Sequence, residues 1–475
     1  MSSFQVPYLA RLNPNYKTEL LPLIKMNKPE ADLQRASEKL MSENEEYFAG
    51  VDIKNVIARL NRIEGEIRKS LVNRREITRQ GLRAIMTSEH QFIFSAAGVA
   101  KSLYARQVFS FFKNSQTFSM QFSPDTSPDD LFGAYDIEKF KKGEIYHNVE
   151  GSIITNNFAF LDEFMDGSDK LLRSLLNVLL ERRFISGTQE EHAILHSAIA
   201  TSNYMRTSET TEALLDRFLY KSFITPAKDM FTLLKIDKVY NDNAGLVIEP
   251  NPDILVDIRE LYVLKEIIRN RNPDFKIKIP IEINYLKNLV VVAFEEEMKK
   301  YRDNYYISPR TITKSNDLLK ANALLEGRDT VNKSDVEKLY YLFCTLNEPL
   351  DNDRTLLSQH LFLKVFQKRF QYFESVKNEL VPLLYVFEFM AHAQKDLSIL
   401  KNSISFLDDL VKQSMVSDLF ERLKHPFSTK DDQTGFLNKT HLLDFVKSIK
   451  SSYSDINEFR DRIEIFIKEV FDTVE

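Results

Sequence analysis

Glycine is scarce in this chain: 12 occur among 475 residues, against about 7% in average proteins. Six of them, Gly98, Gly133, Gly143, Gly151, Gly167 and Gly187, fall in one stretch. Backbone that must turn tightly or approach a ligand closely is therefore expected there. Cysteine is scarcer still. The single Cys344 excludes an intramolecular disulfide, fits a reducing compartment and is expected to be a small core residue. Long apolar runs are also missing. No window approaches 18 uninterrupted apolar residues, and no charged segment followed by an apolar stretch opens the chain, so a soluble cytoplasmic protein without a membrane span is expected. A net charge of −5 and a pI near 6.0 argue against general nucleic-acid affinity, leaving only a local basic channel open.

What is present is ordinary globular material, 43% hydrophobic and 28% charged, in a length that suits two to four domains. Residues 1–60 read as a partly helical N-terminal extension. The stretch to Asn27, with Pro7, Pro14 and Pro22, reads as irregular, and Pro29 to Tyr47 as a charged helix. Over 61–225, helices alternate with short β-rich runs at Phe92–Phe94, Ser119–Phe122, Phe158–Leu161, Ala198–Thr201 and Tyr220–Ile224. That alternation predicts a mostly parallel sheet covered by helices. From Pro226 the strand signals end. Over 226–348 apolar positions three and four apart predict helices at Leu255–Arg269, Ile283–Asp303, Thr311–Glu326 and Lys333–Leu346. Pro349-Leu-Asp-Asn-Asp marks a boundary, and 349–475 read as further helices broken at His425-Pro426 and around Asp431–Gly435. The latter run lacks the spacing of a calcium loop.

Chemistry gathers in the glycine-bearing stretch. After the apolar Phe92-Ile93-Phe94 comes Ser95-Ala96-Ala97-Gly98-Val99-Ala100-Lys101-Ser102, and then a helical pattern from Leu103 to Phe109. Strand, tight loop, Lys-Ser and helix form the plan of a phosphate-binding loop. Backbone N–H groups and the positive helix end face phosphates, the lysine neutralises their oxygens, and the serine hydroxyl ligates Mg²⁺. Sixty residues on, the buried-strand pattern Phe158–Leu161 ends in Asp162-Glu163. Asp162 suits the Mg²⁺ shell, and Glu163 suits polarisation of an attacking water. Asn203 leaves the next strand, where an amide reaches both a γ-phosphate and the lytic water; an ordinary turn asparagine is the plain alternative. Arg217 ends a helix just before a strand, and Arg310 opens a helix behind Pro309. A guanidinium in either place can stabilise charge developing on phosphate.

In this order, Lys101-Ser102, Asp162-Glu163, Asn203, Arg217 and Arg310 resemble an AAA+ ATPase. The intervening text is similar to the MoxR group and to its RavA-like branch, at Ser127–Gly133 with Gly143 and Gly151, at Leu171–Phe184, and from Ser308 through Val336. The resemblance spans roughly 64–346. It implies an α/β/α P-loop core, then an all-α lid and a further helical C-terminal region that recruits partners or stabilises the oligomer. Lys101 and Ser102 become the Walker A pair within the cofactor-binding loop 95–102, and Asp162 and Glu163 the Walker B pair. Asn203 becomes sensor 1, Arg217 the arginine finger acting on a neighbour's ATP, and Arg310 sensor 2. The cofactors implied are ATP and Mg²⁺, with Ser102 and Asp162 at the metal. The assembly implied is a homo-oligomeric ring, usually hexameric, that acts like a chaperone on a protein partner alongside a von Willebrand A domain protein.

The sequence departs from the phosphate-loop pattern at Ser95 and Ala100, which stand where that pattern has glycines. A Cβ at Ser95 is expected to crowd the turn if φ is positive there, costing roughly 1–2 kcal/mol and slowing turnover. Two other readings stay open. Lys139, Phe140, Lys141 and Lys142 suit a phosphate backbone as well as a solvated loop, so a nucleic-acid motor is one. The altered loop allows a nucleotide-locked scaffold with little hydrolysis as the other. His147, His192 and His196 lack metal-ligand spacing, and the apolar face of Phe362, Val365, Phe366, Phe370, Tyr372 and Phe373 is expected to be core rather than a partner site.

Overall fold

A computed structural model describes residues 6–26, 28–141, 143, 145–187, 189–206, 215–226, 229–244, 246–303, 305–347, 357–412 and 419–473. The chain falls into two compact units. The first comprises 1–276, 324–327 and 339–360; the second comprises 277–323, 328–338 and 361–475. Lys142 and the boundary at Pro349–Asp353 lie outside the described residues.

The first unit is built on a parallel sheet of β1 (Gln91–Ser95), β2 (Thr117–Gln121), β3 (Phe158–Asp162), β4 (Ser197–Ser202), β5 (Tyr220–Ile224) and β6 (Thr345–Asn347). Their spatial order is β6-β5-β1-β4-β3-β2. All five expected strands form. The inner ones, β1, β3 and β4, are buried along nearly their whole length, as strands covered on both faces must be. The outermost strand, β2, alternates exposed and half-buried residues. Register is continuous across the middle: Gln91 of β1 pairs with Ile199 of β4 on one side and with Tyr220 of β5 on the other. Because β1 lies between β5 and β4, successive strands leave it in opposite directions. A crevice opens at the carboxyl ends of such strands.

Helix Arg75–Thr87 covers this sheet and is fixed by a buried polar cluster. Gln80 donates to the carbonyls of Lys221 (3.0 Å) and Tyr341 (2.7 Å), and Gln91 donates to Gln80 (3.1 Å). Buried amides are tolerated because they are paired. On the opposite side, fully buried Phe218 meets the rings of Phe92 at 5.8 Å and Phe164 at 5.3 Å.

His196, just before β4, is fully buried, and its Nε2–H donates to the Ile85 carbonyl at 2.7 Å. Burial drives its pKa from 6.5 down to about 3, with Lys265 adding repulsion. Between those two values an unfolded chain binds a proton that the folded ring refuses. Stability therefore falls as pH drops from about 6.5 toward 3, by up to ~1.4 kcal/mol per pH unit from this ring alone. Urea midpoints measured across that range should show a shallower acid slope in His196→Gln than in the parent.

Several expectations are corrected. The stretch before Asn27 is not irregular: it holds helices Tyr8–Arg11 and Leu21–Lys25 and a π-turn at Tyr16–Leu20. Pro7 is an N-cap and Pro22 sits in a first turn, places where proline starts a helix rather than breaking one. With helix Glu30–Ala49 these turns share a small core of Ala10, Tyr16, Leu20, Leu33 and Leu40. Strands do not end at Pro226, since β6 forms beside β5, and Val256–Asp257 pairs with Phe112–Lys113. In the second unit, Pro426 lies inside helix Leu419–Ser428 instead of interrupting it. That unit is helical, with Ile281–Lys299, Pro309–Leu325 and Leu357–Ala393 as its long members. Phe362, Val365, Phe366 and Phe373 are buried there, with Phe294 against Phe362 at 5.2 Å; the expected core face is core. Cys344 is buried as well.

Candidate functional site

Three strand ends deliver the candidate groups to one edge of the sheet. The loop after β1 leads into helix Lys101–Phe109, whose N-cap, Ala100, provides no side-chain cap. The first N–H groups of that helix are thus left for the loop side. Lys101 is buried, and its ammonium donates to Asn203 Oδ1 just beyond β4. Asn203 Nδ2 in turn donates to Glu163 Oε1 just beyond β3. One amide thereby joins the cation to the carboxylate. Ser102 Oγ donates to Asp162 Oδ2 at 3.3 Å, and Asp162 Oδ1 accepts from Thr201 Oγ and from the Glu163 amide at 3.1 Å. Burial pushes Lys101 below the usual lysine range, while Glu163 and Asp162 pull it back up.

The backbone of this edge is unusual at three places. Gly98 has φ +80°, Ala100 has φ +61° and Glu163 has φ +49°. Ser95, by contrast, ends β1, is fully buried and donates to the Ala96 carbonyl at 3.1 Å. The expected crowding at Ser95 is therefore corrected: the position is the end of a strand and lacks the positive φ that favours glycine. The left-handed position without a glycine is Ala100, and its Cβ carries the conformational cost. Replacing it in Ala100→Gly should raise stability by roughly 1 kcal/mol, read as a higher urea midpoint at unchanged slope. Ala96 and Ala97 lie exposed on the loop, and Val99 tucks beneath it.

Arg74 and Thr201 were not legible as site neighbours. Arg74 Nη2 donates to the Val99 carbonyl at 3.2 Å and holds the loop from outside. Thr201 reads in sequence as an ordinary β-branched strand residue; only its place two residues before Asn203, on an alternating strand, could have placed it near Asp162. The two arginines are elsewhere. Arg217 lies in a helical turn three residues before β5, at the amino end of the sheet, with Asp216 at 3.8 Å. The structure does not bring it to the Lys101 edge of its own chain. Arg310 is the second residue of helix Pro309–Leu325, in the second unit. Of the basic loop, Lys139 lies over the Tyr146 ring at 3.5 Å and Phe140 is exposed. His147 Nδ1 meets the Gly133 carbonyl at 2.8 Å, a structural role. Gly133 has φ +90°, and a Cβ there would fall 1.9 Å from the Asn148 oxygen, so only glycine fits.

Chemically, one buried ammonium, a hydroxyl and carboxylate pair, and an amide holding a second carboxylate lie around the 95–102 loop. The ammonium and N–H groups suit phosphate oxygens. Hydroxyl and carboxylate oxygens are hard donors that suit Mg²⁺, and an amide-held carboxylate suits the orientation of water.

Residues 58–242 match the family model described as the MoxR domain in the MoxR-vWA-beta-propeller ternary systems, and residues 286–353 match an AAA lid domain. Two uncharacterised proteins of Methanocaldococcus jannaschii are similar to this chain. One is 27% identical over 61% of this chain and 70% of its own length; the other is 26% identical over 61% and 72%. A structural protein of the Acidianus two-tailed virus is 25% identical over 46% of this chain and 37% of its own. A solved structure from Cytophaga hutchinsonii, described as a putative ATPase, is 19% identical at TM-score 0.49, and the match covers 70% of this chain and 97% of its own.

Proposed function

The chain belongs to the MoxR group of AAA+ ATPases, its core and lid models together matching more than half of its length, and from that premise we propose that it binds and hydrolyses Mg-ATP to remodel a protein partner. The observation that carries the reading is the hydrogen-bonded chain Lys101–Asn203–Glu163 beside Ser102–Asp162 at the carboxyl edge of the sheet. Lys101 and the amides of loop 95–102 hold the phosphates. Ser102 and Asp162 would hold Mg²⁺, which when bound neutralises charge on the phosphate oxygens. Glu163 takes a proton from the attacking water, and Asn203 fixes the carboxylate that does so while keeping contact with Lys101.

Arg217, at the opposite end of the sheet, suits action on a neighbouring subunit, and Arg310 suits the lid's contribution. This favours a ring, hexameric by family habit, and the RavA-like text at 127–133 and 171–184 favours that branch. A partner with a von Willebrand A domain is supported by the description of the matching family model. We assign the core to 61–225, the lid to 226–348 and partner recognition to 1–60 and 349–475. Among the described residues no helix is long and apolar enough to cross a membrane; we place the protein in the cytoplasm.

The test is phosphate release from Mg-ATP. Saturable turnover is expected, with loss of both turnover and nucleotide binding in Lys101→Ala. ATP held without release would assign the nucleotide-locked scaffold instead. Equal release by parent and variant would overturn the site.

A further inference from the structure

The neighbouring strands β3 and β4 leave the sheet side by side, and polar links join their exits at three successive levels. At the first, Asn203 Nδ2 donates to Glu163 Oε1. At the second, the Tyr204 phenol donates to the Met165 carbonyl at 3.2 Å. It has a further acceptor in the Asp166 carboxylate, which raises the phenol's pKa. At the third, the Arg206 guanidinium forks: Nη1 donates to the Gly167 carbonyl at 3.3 Å, and Nη2 donates to the Asp169 carboxylate. The links keep the same order along both segments, 203 on 163, 204 on 165, and 206 on 167 and 169.

The two segments are not equally fixed. Past Glu163, Phe164 and Met165 are fully buried, and the Asp166 amide donates to the Glu163 carbonyl at 2.9 Å. At Gly167 a Cβ would fall 2.8 Å from Phe122 Cδ1, so the segment lies hard against the core there. Past β4 the packing is thin: Tyr204 is 45% exposed and Met205 43%. The polar ends of Tyr204 and Arg206 therefore reference a loosely packed exit to a seated one. Glu163 also has φ +49°, a conformation that an L residue keeps only where its surroundings over-determine it.

We propose that Tyr204 and Arg206 are positioning residues: they clamp the exit of β4 onto the segment past Glu163 and so set where the Asn203 amide stands between that carboxylate and Lys101. Chemistry tolerates little error at such a place, since a displacement of about 1 Å costs on the order of 100-fold in rate. Folding depends on the same links far less. The side chains of Arg206 and Asp169 are 33% and 51% exposed, and ion pairs so exposed contribute little to stability. That contrast separates a positioning role from a structural one. The kinetic consequence rests on the ATP reading above; the clamp itself does not.

The test compares the full chain with Tyr204→Phe, Arg206→Met and the pair of them by steady-state phosphate release from Mg-ATP and by urea unfolding. Expected is a kcat lower by ~10-fold in each single variant and by ~100-fold in the pair. KM should stay within about threefold, and the urea midpoint should stay at the parent's value. Arg206→Lys keeps a cation for Asp169 but loses the planar fork that also reaches the Gly167 carbonyl, so its kcat should lie between those of the parent and Arg206→Met. A pair with the parent's kcat overturns the inference, as does a change confined to KM. A fall in kcat that only follows a fall in the urea midpoint also overturns it, by leaving the contacts a structural role alone.

A second readout needs no nucleotide. The Nδ2 protons of Asn203, identified in the NMR spectrum by their loss in Asn203→Asp, should exchange with water at least ~10-fold faster in the pair than in the parent, because the bond to Glu163 is no longer held in register. Unchanged exchange overturns the clamp. Faster exchange in the pair, in a parent that releases no phosphate, supports the clamp and sinks the ATP reading.

Discussion

Glu163→Gln should lower phosphate release by at least ~100-fold, and by up to ~10⁴-fold, the range that a positioned general base contributes, while leaving ATP affinity within about threefold. The reason lies in what the substitution keeps. The glutamine amide retains an oxygen that can accept from Asn203 Nδ2 as Glu163 Oε1 does, so Asn203 stays in place and continues to hold Lys101. Only the ability to take a proton is lost. Binding and single-turnover measurements separate the two effects: a variant that fails to bind ATP would show that Glu163 acts in holding the site together. The backbone at Glu163, at φ +49°, should be indifferent to the change because glutamine has the same branching.

The second large effect is on stability. Phe218→Ala should cost about 3–5 kcal/mol in the first unit, read as the displacement of its unfolding transition in urea. Phe218 is fully buried, and its ring meets His90, Phe92 and Phe164 at centroid distances of 5.8, 5.8 and 5.3 Å. Alanine leaves a cavity that rigid strands close only in part, and the lost aromatic edge contacts add to the transfer loss. Phe164 directly follows Glu163, so the cavity opens beneath the proposed general base. Residual activity should fall faster than the folded fraction. Activity that simply tracks the folded fraction would mean that the strand end holds Glu163 without help from the core below.

The sequence made the frame of this site readable because its inner strands are continuous apolar runs. Phe92–Phe94, Phe158–Leu161 and Ala198–Thr201 are each too short for a helix and are bounded by turns, and their exits carry Lys101, Asp162-Glu163 and Asn203. What escaped were short-range effects. Residues 345–347 form a strand only because β5 offers an edge to pair with; nothing in their own three side chains demands it. Both Ser95 and Ala100 stand where the phosphate-loop pattern has glycine, and the sequence does not say which of the two has positive φ; the dihedral demand falls at Ala100. Arg74 touches the loop from the turn before helix Arg75–Thr87, in a region with no motif. Pro7 and Pro22 stand at helix starts, and the presence of proline in a stretch does not distinguish that place from an interrupted helix.

The path of the chain also limits how this protein can be divided. It leaves the first unit after residue 276 and returns at 324–327 and again at 339–360. A truncation ending at residue 276 would retain every side chain of the Lys101 edge yet lose β6 and the Tyr341 carbonyl that accepts from buried Gln80. The edge of β5 would be bared for pairing with other chains, and one buried amide hydrogen would be left without an acceptor. An isolated fragment cut on sequence boundaries would be prone to aggregate for reasons that have nothing to do with nucleotide. Separating the two units would require re-attaching residues 339–347 by a linker, which makes the returning segment part of the first unit itself.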